Sequence, residues 1–285
     1  MLCLLVAFLM AQAVTAPSAN VVITAPVANM YSRASANADV VSQAIYGANA
    51  RIVGRGGGWV RIRTADAYTG WVTASSVLRR PVYAGTAPFV EVESLFANLY
   101  READVTKHRP LLTVPFEARL EVLPAREPAR NDDPRWLHVR LPNGRTAWIQ
   151  RGDVTSDPKP RTVAEVVEFS RRFLGLPYLW GGTSTYGYDC SGFTQMLSRR
   201  RGVAIPRDAS QQAAWTGMGA VARDQLRPGD LLYFGASADK ITHTGMYLGN
   251  GEFIDATPWE RPVVQIDRLD DPHWAPLFVA ARRIP

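Results

Sequence analysis

The 285-residue sequence predicts an α+β chain: two small β-barrels in tandem, then a third domain in which a helix packs on an antiparallel sheet. Three observations predict this. Two stretches of the first half align with each other and read as β-hairpins. Gly 22 and Pro 20 favour many turns and short strands. From Thr162 the apolar spacing changes to that of a helix, and after Pro228-Gly229 to that of strands.

The hairpins come first. Trp59-Val60-Arg61-Ile62-Arg63 with Gly70-Trp71-Val72 matches Trp136-Leu137-His138-Val139-Arg140 with Ala147-Trp148-Ile149, without a gap. Between the tryptophans lie turn residues, Ala65-Asp66-Ala67 in one copy and Pro142-Asn143-Gly144 in the other. Upstream, Ala28-Asn29-Met30-Tyr31 matches Ala97-Asn98-Leu99-Tyr100. Core packing is expected for at least half of these tryptophans. The joins Pro81 to Pro88 and Ser156 to Pro160 are rich in residues that stop regular structure. The organisation expected is 1–16, 20–80, 85–155 and 160–285.

Residues Leu2 to Met10 form an apolar run too short to span a bilayer, followed by small-x-small patterns at Ala11-Gln12-Ala13 and Val14-Thr15-Ala16. Residues 1–16 are therefore expected to be a secretory signal peptide, and the mature chain an exported one, in the periplasm or at the cell wall. It departs from the usual pattern in having no Lys or Arg before the apolar run. Removal of Cys3 would leave Cys190 as a lone thiol.

Composition excludes several classes. Hydrophobic residues are 47% and charged residues 20%, against disorder or coiled coil. The net charge of +6 fits attraction to an anionic polymer but is too diffuse for nucleic acid. Two cysteines rule out a disulfide framework, and scattered histidines (His108, His138, His243, His273) rule against a zinc cage. No metal or other cofactor, no stable membrane insertion and a monomer are expected.

The third domain carries the chemistry. Thr162-x-x-Glu165 is a capping box, and Val163, Val166, Val167, Phe169, Phe173 and Leu174 follow a helical period that Gly175 and Pro177 end. A second helix starts at Cys190, with Asp189 as N-cap and Gly202 as the C-terminal stop. The positive end of a helix favours thiolate. Strands are expected at Asp230–Phe234, His243–Gly249 and Glu252–Ala256. A Cys at a helix start facing a His on a strand is the layout of papain-like thiol peptidases, in which the His takes the thiol proton and a third polar group orients the ring.

The elements PYLWGG, GYDCSGF, PGDLLYF, HTGMYLG and FIDAT, in this order over 160–285, resemble the NlpC family of cell-wall cysteine peptidases. The Trp hairpins resemble bacterial SH3 domains. The combination is similar to the subgroup that cleaves γ-D-glutamyl-L-diamino acid bonds in peptidoglycan stem peptides. That resemblance implies Cys190 as nucleophile, His243 as base and Asp255 as the third catalytic group, where many relatives have His. It implies that Tyr178, with the Cys190 backbone N–H, holds the oxyanion. It further implies that Asp189, Ser191 and Asp208 bind the free amine of the stem L-Ala. Trp180 would line the pocket, and Tyr68 of the first barrel would close it. Ala209 stands where Ser is common, and Thr242 where a second His often precedes the catalytic one. Three other functions fit the same organisation: a D,L-endopeptidase on intact, glycan-linked wall, a non-catalytic wall-binding protein, and an acyltransferase or amidase of the same fold on another substrate.

Overall fold

The computed structural model describes residues 21–124 and 133–285. The signal-peptide segment at 1–16 lies outside the described residues. The chain is mostly β, and among the described residues its α-helices lie in the last domain.

The first unit runs β1 (Val21–Ile23), β2 (Val27–Tyr31), β3 (Val40–Ile45), β4 (Asn49–Gly56), β5 (Trp59–Arg63), β6 (Thr69–Thr73) and β7 (Val77–Arg79). Its strands lie in the order β3-β2-β6-β5-β4-β1-β7. Alternation along β5 turns Val60 and Ile62 inward, onto Met30, Val72 and Ile23.

The second unit runs β8 (Phe89–Val92), β9 (Phe96–Leu99), β10 (Leu112–Pro115), β11 (Arg119–Val122), β12 (Trp136–Arg140), β13 (Thr146–Gln150) and β14 (Val154–Thr155). Five strands lie in the order β13-β12-β11-β8-β14, beside a β9–β10 pair. The repeat is exact in register. Arg61 faces Trp71 in one hairpin and His138 faces Trp148 in the other. Tyr31 bridges Trp71 and packs edge-on against Trp59 at 5.4 Å; Tyr100 bridges Trp148 and packs edge-on against Trp136 at 5.5 Å. Of the four tryptophans only Trp136 is buried, fewer than the sequence suggested. The aliphatic residues between them fill the barrels, which leaves the indoles on the outer faces.

The third domain runs α1 (Val163–Ser170), β15 (Thr183–Ser184), β16 (Gly187–Tyr188), α2 (Cys190–Arg200), α3 (Ala209–Ala214), β17 (Gly219–Ala220), β18 (Leu231–Gly235), β19 (Ile241–Gly249), β20 (Glu252–Thr257), β21 (Val263–Arg268) and β22 (Phe278–Arg283). The capping box forms as expected: Thr162 Oγ1 accepts from the Glu165 amide, and the Glu165 carboxylate accepts from the Thr162 amide. Six strands form one sheet, β17-β22-β18-β19-β20-β21. Helix α2 packs on β19 and β20, burying Phe193, Met196 and Leu197 against Met246, Ile254 and Ala256. Among the described residues no helix is long and apolar enough to cross a membrane.

The three units are closely joined. Gly47, at φ +79, lies so near the second unit that a Cβ would sit 2.2 Å from the Arg119 carbonyl oxygen. Gly181, at φ +75, leaves the same margin for the first unit, with a Cβ 2.5 Å from the Val40 oxygen. Gln43 of β3 accepts from the Thr183 amide and the Ser184 hydroxyl through Oε1. Buried Arg200 at the end of α2 binds Glu91 and Glu93 of the second unit at 2.6 and 2.9 Å. The first unit is thereby fixed against the loop that leads into α2.

Candidate active site

Cys190 opens α2, free and nearly buried. Asp189 caps the helix by accepting from the Gly192 amide at 2.7 Å. Across the fold, the β19–β20 hairpin carries His243 and Asp255. His243 Nε2 lies 2.5 Å from Asp255 Oδ2. The ring's other nitrogen, Nδ1, is then the one left for the thiol.

Burial opposes a proton on His243, but the Cys190 charge and the Asp255 hydrogen bond outweigh it and push the imidazole up to about 10. Asp255 is pushed up to about 6 by burial, against the pull of His243. At neutral pH the arrangement therefore favours an imidazolium held between a sulfur and a carboxylate. That is the state needed to deliver a proton to a leaving group.

A second set of residues around this pair was not singled out in the sequence. The Trp274 indole stacks on the His243 ring at 4.7 Å and 25°. Its Nε1–H donates to Asp267 at 3.0 Å, and Gln265 Nε2 donates to both oxygens of Asp267. Gln265 stands directly across from Asp255 in the β20–β21 ladder. The stack covers one face of the imidazole and restricts its rotation. No motif signals this, because Trp274 lies in an irregular segment between β21 and β22.

Tyr178 stands beside the sulfur. Burial first, then the charges of Cys190 and Asp189, raise its phenol well above the usual range, so its O–H remains a donor. Among the described residues no hydrogen bond engages the Cys190 amide, which leaves a second donor at the same place. A pair of donors beside a nucleophile can hold an oxyanion.

Asp189 proves to be saturated. Its carboxylate accepts from the Gly181 and Gly192 amides, the Ser191 hydroxyl, and both terminal nitrogens of Arg207 at 3.0 and 2.6 Å. Ser191 Oγ also accepts from Arg207 Nη1. The buried Arg207 thus cancels the Asp189 charge, and Ser191 completes the same network. Arg207 is also anchored to the first unit through Ser42 Oγ at 3.2 Å.

Asp208 is different. It stands at the start of α3 but makes no side-chain cap bond, and Arg207 bonds to Asp189 instead. Its partner is the Tyr68 hydroxyl, at 3.2 and 3.3 Å from the two carboxylate oxygens. Burial and the Asp208 charge push the Tyr68 phenol up to about 12. Tyr68 sits on the β5–β6 turn, where Ala67 at φ 64 reverses the chain and Asp66 accepts from Gln195 of α2 at 3.2 Å. The turn of the first Trp hairpin is therefore docked on the catalytic domain. Trp180 remains 69% exposed, on the loop pressed against the first unit.

With this geometry in hand, similarity to known proteins is informative. The NlpC/P60 family model matches residues 175–283, and the bacterial SH3 domain model matches 26–78. A γ-D-glutamyl-L-lysine dipeptidyl-peptidase of Bacillus cereus is 32% identical over 259 residues, spanning 85% of this chain and 74% of the relative. The chain belongs to the NlpC/P60 family. Dipeptidyl-peptidase 6 of Lysinibacillus sphaericus is 26% identical over 91% of this chain and 94% of its own length. The probable endopeptidase YafL of Escherichia coli is 33% identical over 53% of this chain and 63% of its own. The crystal structure of a NlpC/P60 family protein from Bacillus cereus superposes with a TM-score of 0.79, covering 93% of this chain and 100% of that one at 27% identity. This NlpC/P60 protein is a peptidoglycan peptidase, built of an SH3 domain and a catalytic domain.

Proposed function

We propose that the protein hydrolyses the γ-D-Glu–L-diamino acid bond of peptidoglycan stem peptides whose N-terminal L-Ala is free. The observation that carries this reading is the Asp208–Tyr68 pair. Asp208 is the carboxylate of this cluster that Arg207 does not hydrogen-bond, and the first unit's hairpin turn roofs it. An ammonium fits beside such a group, while a muramyl substituent on that nitrogen would meet Tyr68. The dipeptidyl-peptidase names of the relatives support the same reading.

In this reaction Cys190 thiolate attacks the γ-carbonyl carbon of D-Glu. The Tyr178 O–H and the Cys190 N–H hold the oxyanion. The tetrahedral intermediate collapses by breaking the C–N bond, and the leaving amine takes the proton from His243, oriented by Asp255. A thioester to L-Ala-D-Glu remains. His243, now neutral, takes a proton from water, which attacks the thioester. L-Ala-D-Glu leaves and the thiolate–imidazolium pair is restored. Trp180 forms the pocket wall, and Asp189 with Ser191 shapes its floor. The catalytic domain is papain-like in this reading, the second β unit is another SH3-like module, and the mature chain works outside the cytoplasm.

The test is mass spectrometry of L-Ala-γ-D-Glu-diaminopimelate and of its N-acetylmuramyl form, each incubated with the wild type and Cys190→Ala. Cleavage of the free-amine peptide alone, absent in Cys190→Ala, is the expected result. Equal cleavage of the muramyl form would make the protein an endopeptidase on intact wall and overturn the proposal.

A further inference from the structure

From the catalytic histidine a run of aromatic rings leads outward through Trp274. His243 stacks on Trp274, and His273 meets Trp274 edge-on at 4.6 Å and 77°. Trp259 then lies flat on His273 at 3.6 Å and 4°. The run ends at the surface, since Trp259 is 42% exposed. Packing accounts for Trp274, which is buried among Phe234, Phe253 and Leu269. It does not account for an indole held outside at the tip of a turn.

The turn is built to hold it there. The Trp259 amide donates to Thr257 Oγ1 at 3.1 Å, and the Arg261 amide donates to the Trp259 carbonyl at 2.6 Å. Glu260 between them adopts φ 54, a left-handed conformation unusual for a side chain of its size. The far end is tied to the active site, because the Pro262 carbonyl accepts from the Tyr178 amide at 2.7 Å. The turn therefore hangs between the Asp255 strand and the proposed oxyanion tyrosine.

Direction follows from the proton transfer. The leaving amine must meet His243 to take its proton, so the leaving residue lies on the His243 side of the sulfur. The acyl half runs the other way, to Asp208 and Tyr68. Joined to His243 through Trp274, the Trp259–His273 stack is the exposed end of this ring run.

We propose that Trp259, backed by His273, is the shelf that holds the side chain of the leaving diamino acid. The inference rests on the function proposed above and extends it to the second half of the substrate. A diamino acid side chain is an aliphatic stem ending in an ammonium. An indole face with one side already covered takes both parts, the stem by apolar contact and the ammonium by attraction to the ring's negative face.

The experiment measures kcat/KM on L-Ala-γ-D-Glu-L-Lys and on the same peptide with norleucine, which keeps the stem and lacks the ammonium. Wild type, Trp259→Ala and Trp259→Phe are compared. The ratio between the two peptides is independent of the fraction of protein folded. The wild type is expected to prefer lysine by about tenfold. Trp259→Ala is expected to bring the ratio near one through loss on the lysine peptide, and Trp259→Phe to keep most of it. A wild type that cleaves both peptides equally, or a ratio unchanged in Trp259→Ala, would overturn the shelf and leave the proposed function standing. A wild type that cleaves neither peptide overturns the shelf, and it overturns the proposed function only if it also leaves L-Ala-γ-D-Glu-diaminopimelate intact.

Discussion

Replacing Asp208 with Asn separates two carboxylates that the sequence alone makes equivalent. Asp189 precedes Cys190 and Asp208 follows Arg207, but Asp189 is neutralised by Arg207 and has five donors on its two oxygens. The Asp189–Arg207–Asp208 set therefore has a net charge of one negative unit, and that unit resides on Asp208. Asn keeps the size and can still accept from Tyr68, so the pocket shape is retained. In the proposed reading, what is lost is a charge-assisted bond to the substrate ammonium, worth about 1.5–3 kcal/mol. Such a loss lowers kcat/KM on the free-amine tripeptide by about 10- to 150-fold. The loss should fall on KM more than on kcat, because the ammonium is bound in ground and transition states alike. Chromatographic assay of released L-Ala-D-Glu over a range of peptide concentrations measures both constants. An Asp208→Asn protein with wild-type kcat/KM would refute the assignment of the amine site to Asp208.

Asp189→Asn should behave otherwise, as a folding defect. It strips a buried arginine of its counter-ion and weakens the α2 cap, at a cost of about 3–5 kcal/mol, visible as a lower midpoint in urea denaturation. The pH profile of kcat/KM should have a broad plateau. Below about pH 6 Asp255 gains a proton and stops orienting the ring, and above about pH 10 His243 loses the proton it must deliver. Asp255→Asn removes one of the two influences that raise His243, so the alkaline limb should move to lower pH. An unmoved limb would show that Cys190 alone sets it. Trp274→Leu should lower kcat by about three- to tenfold with KM little changed, and Trp274→Phe should recover most of that, since the ring contact is worth about 0.5–1.5 kcal/mol. A Phe variant as slow as the Leu variant would place the effect in the Asp267 hydrogen bond instead.

Local signals survived folding because they depend on few residues. Thr162 and Glu165 are three apart, and the reciprocal bonds of a capping box follow from that spacing. The Trp hairpins had only to align for their register to be read. Cys190, His243 and Asp255 were legible through motif order, and the β19–β20 hairpin brings the last two together. What the sequence hid was partnership across long separations. Arg207 directly precedes Asp208 in the chain. The side chain turns instead to Asp189, because a buried guanidinium needs two acceptor oxygens in one plane and Asp189 offers them at 3.0 and 2.6 Å. Trp274 was invisible for the related reason that ring stacking leaves no spacing rule.

The internal repeat explains how specificity arises without new catalytic residues. Both hairpins share one register and one Tyr–Trp ring pair, so their folding is set by the same few contacts. Their turns differ, and turns are where substitution costs a barrel least. In the second copy the turn is Pro142-Asn143-Gly144, whose Pro142 carbonyl accepts from Arg80 of the first unit at 2.9 Å. It joins the two barrels and touches no catalytic residue. In the first copy the turn carries Asp66 and Tyr68, which meet Gln195 and Asp208 of the catalytic domain. The effect of Tyr68 on the substrate then depends on how rigidly the barrel is held. Gly181 and Gln43 fix the barrel on the catalytic domain, Gly47 seats it against the second unit, and Arg200 ties that second unit to α2. In the proposed reaction a stem peptide with a free amine would thus be selected by the docking of a neighbouring domain, while the chemistry assigned to Cys190, His243 and Asp255 would be indifferent to what the amine carries.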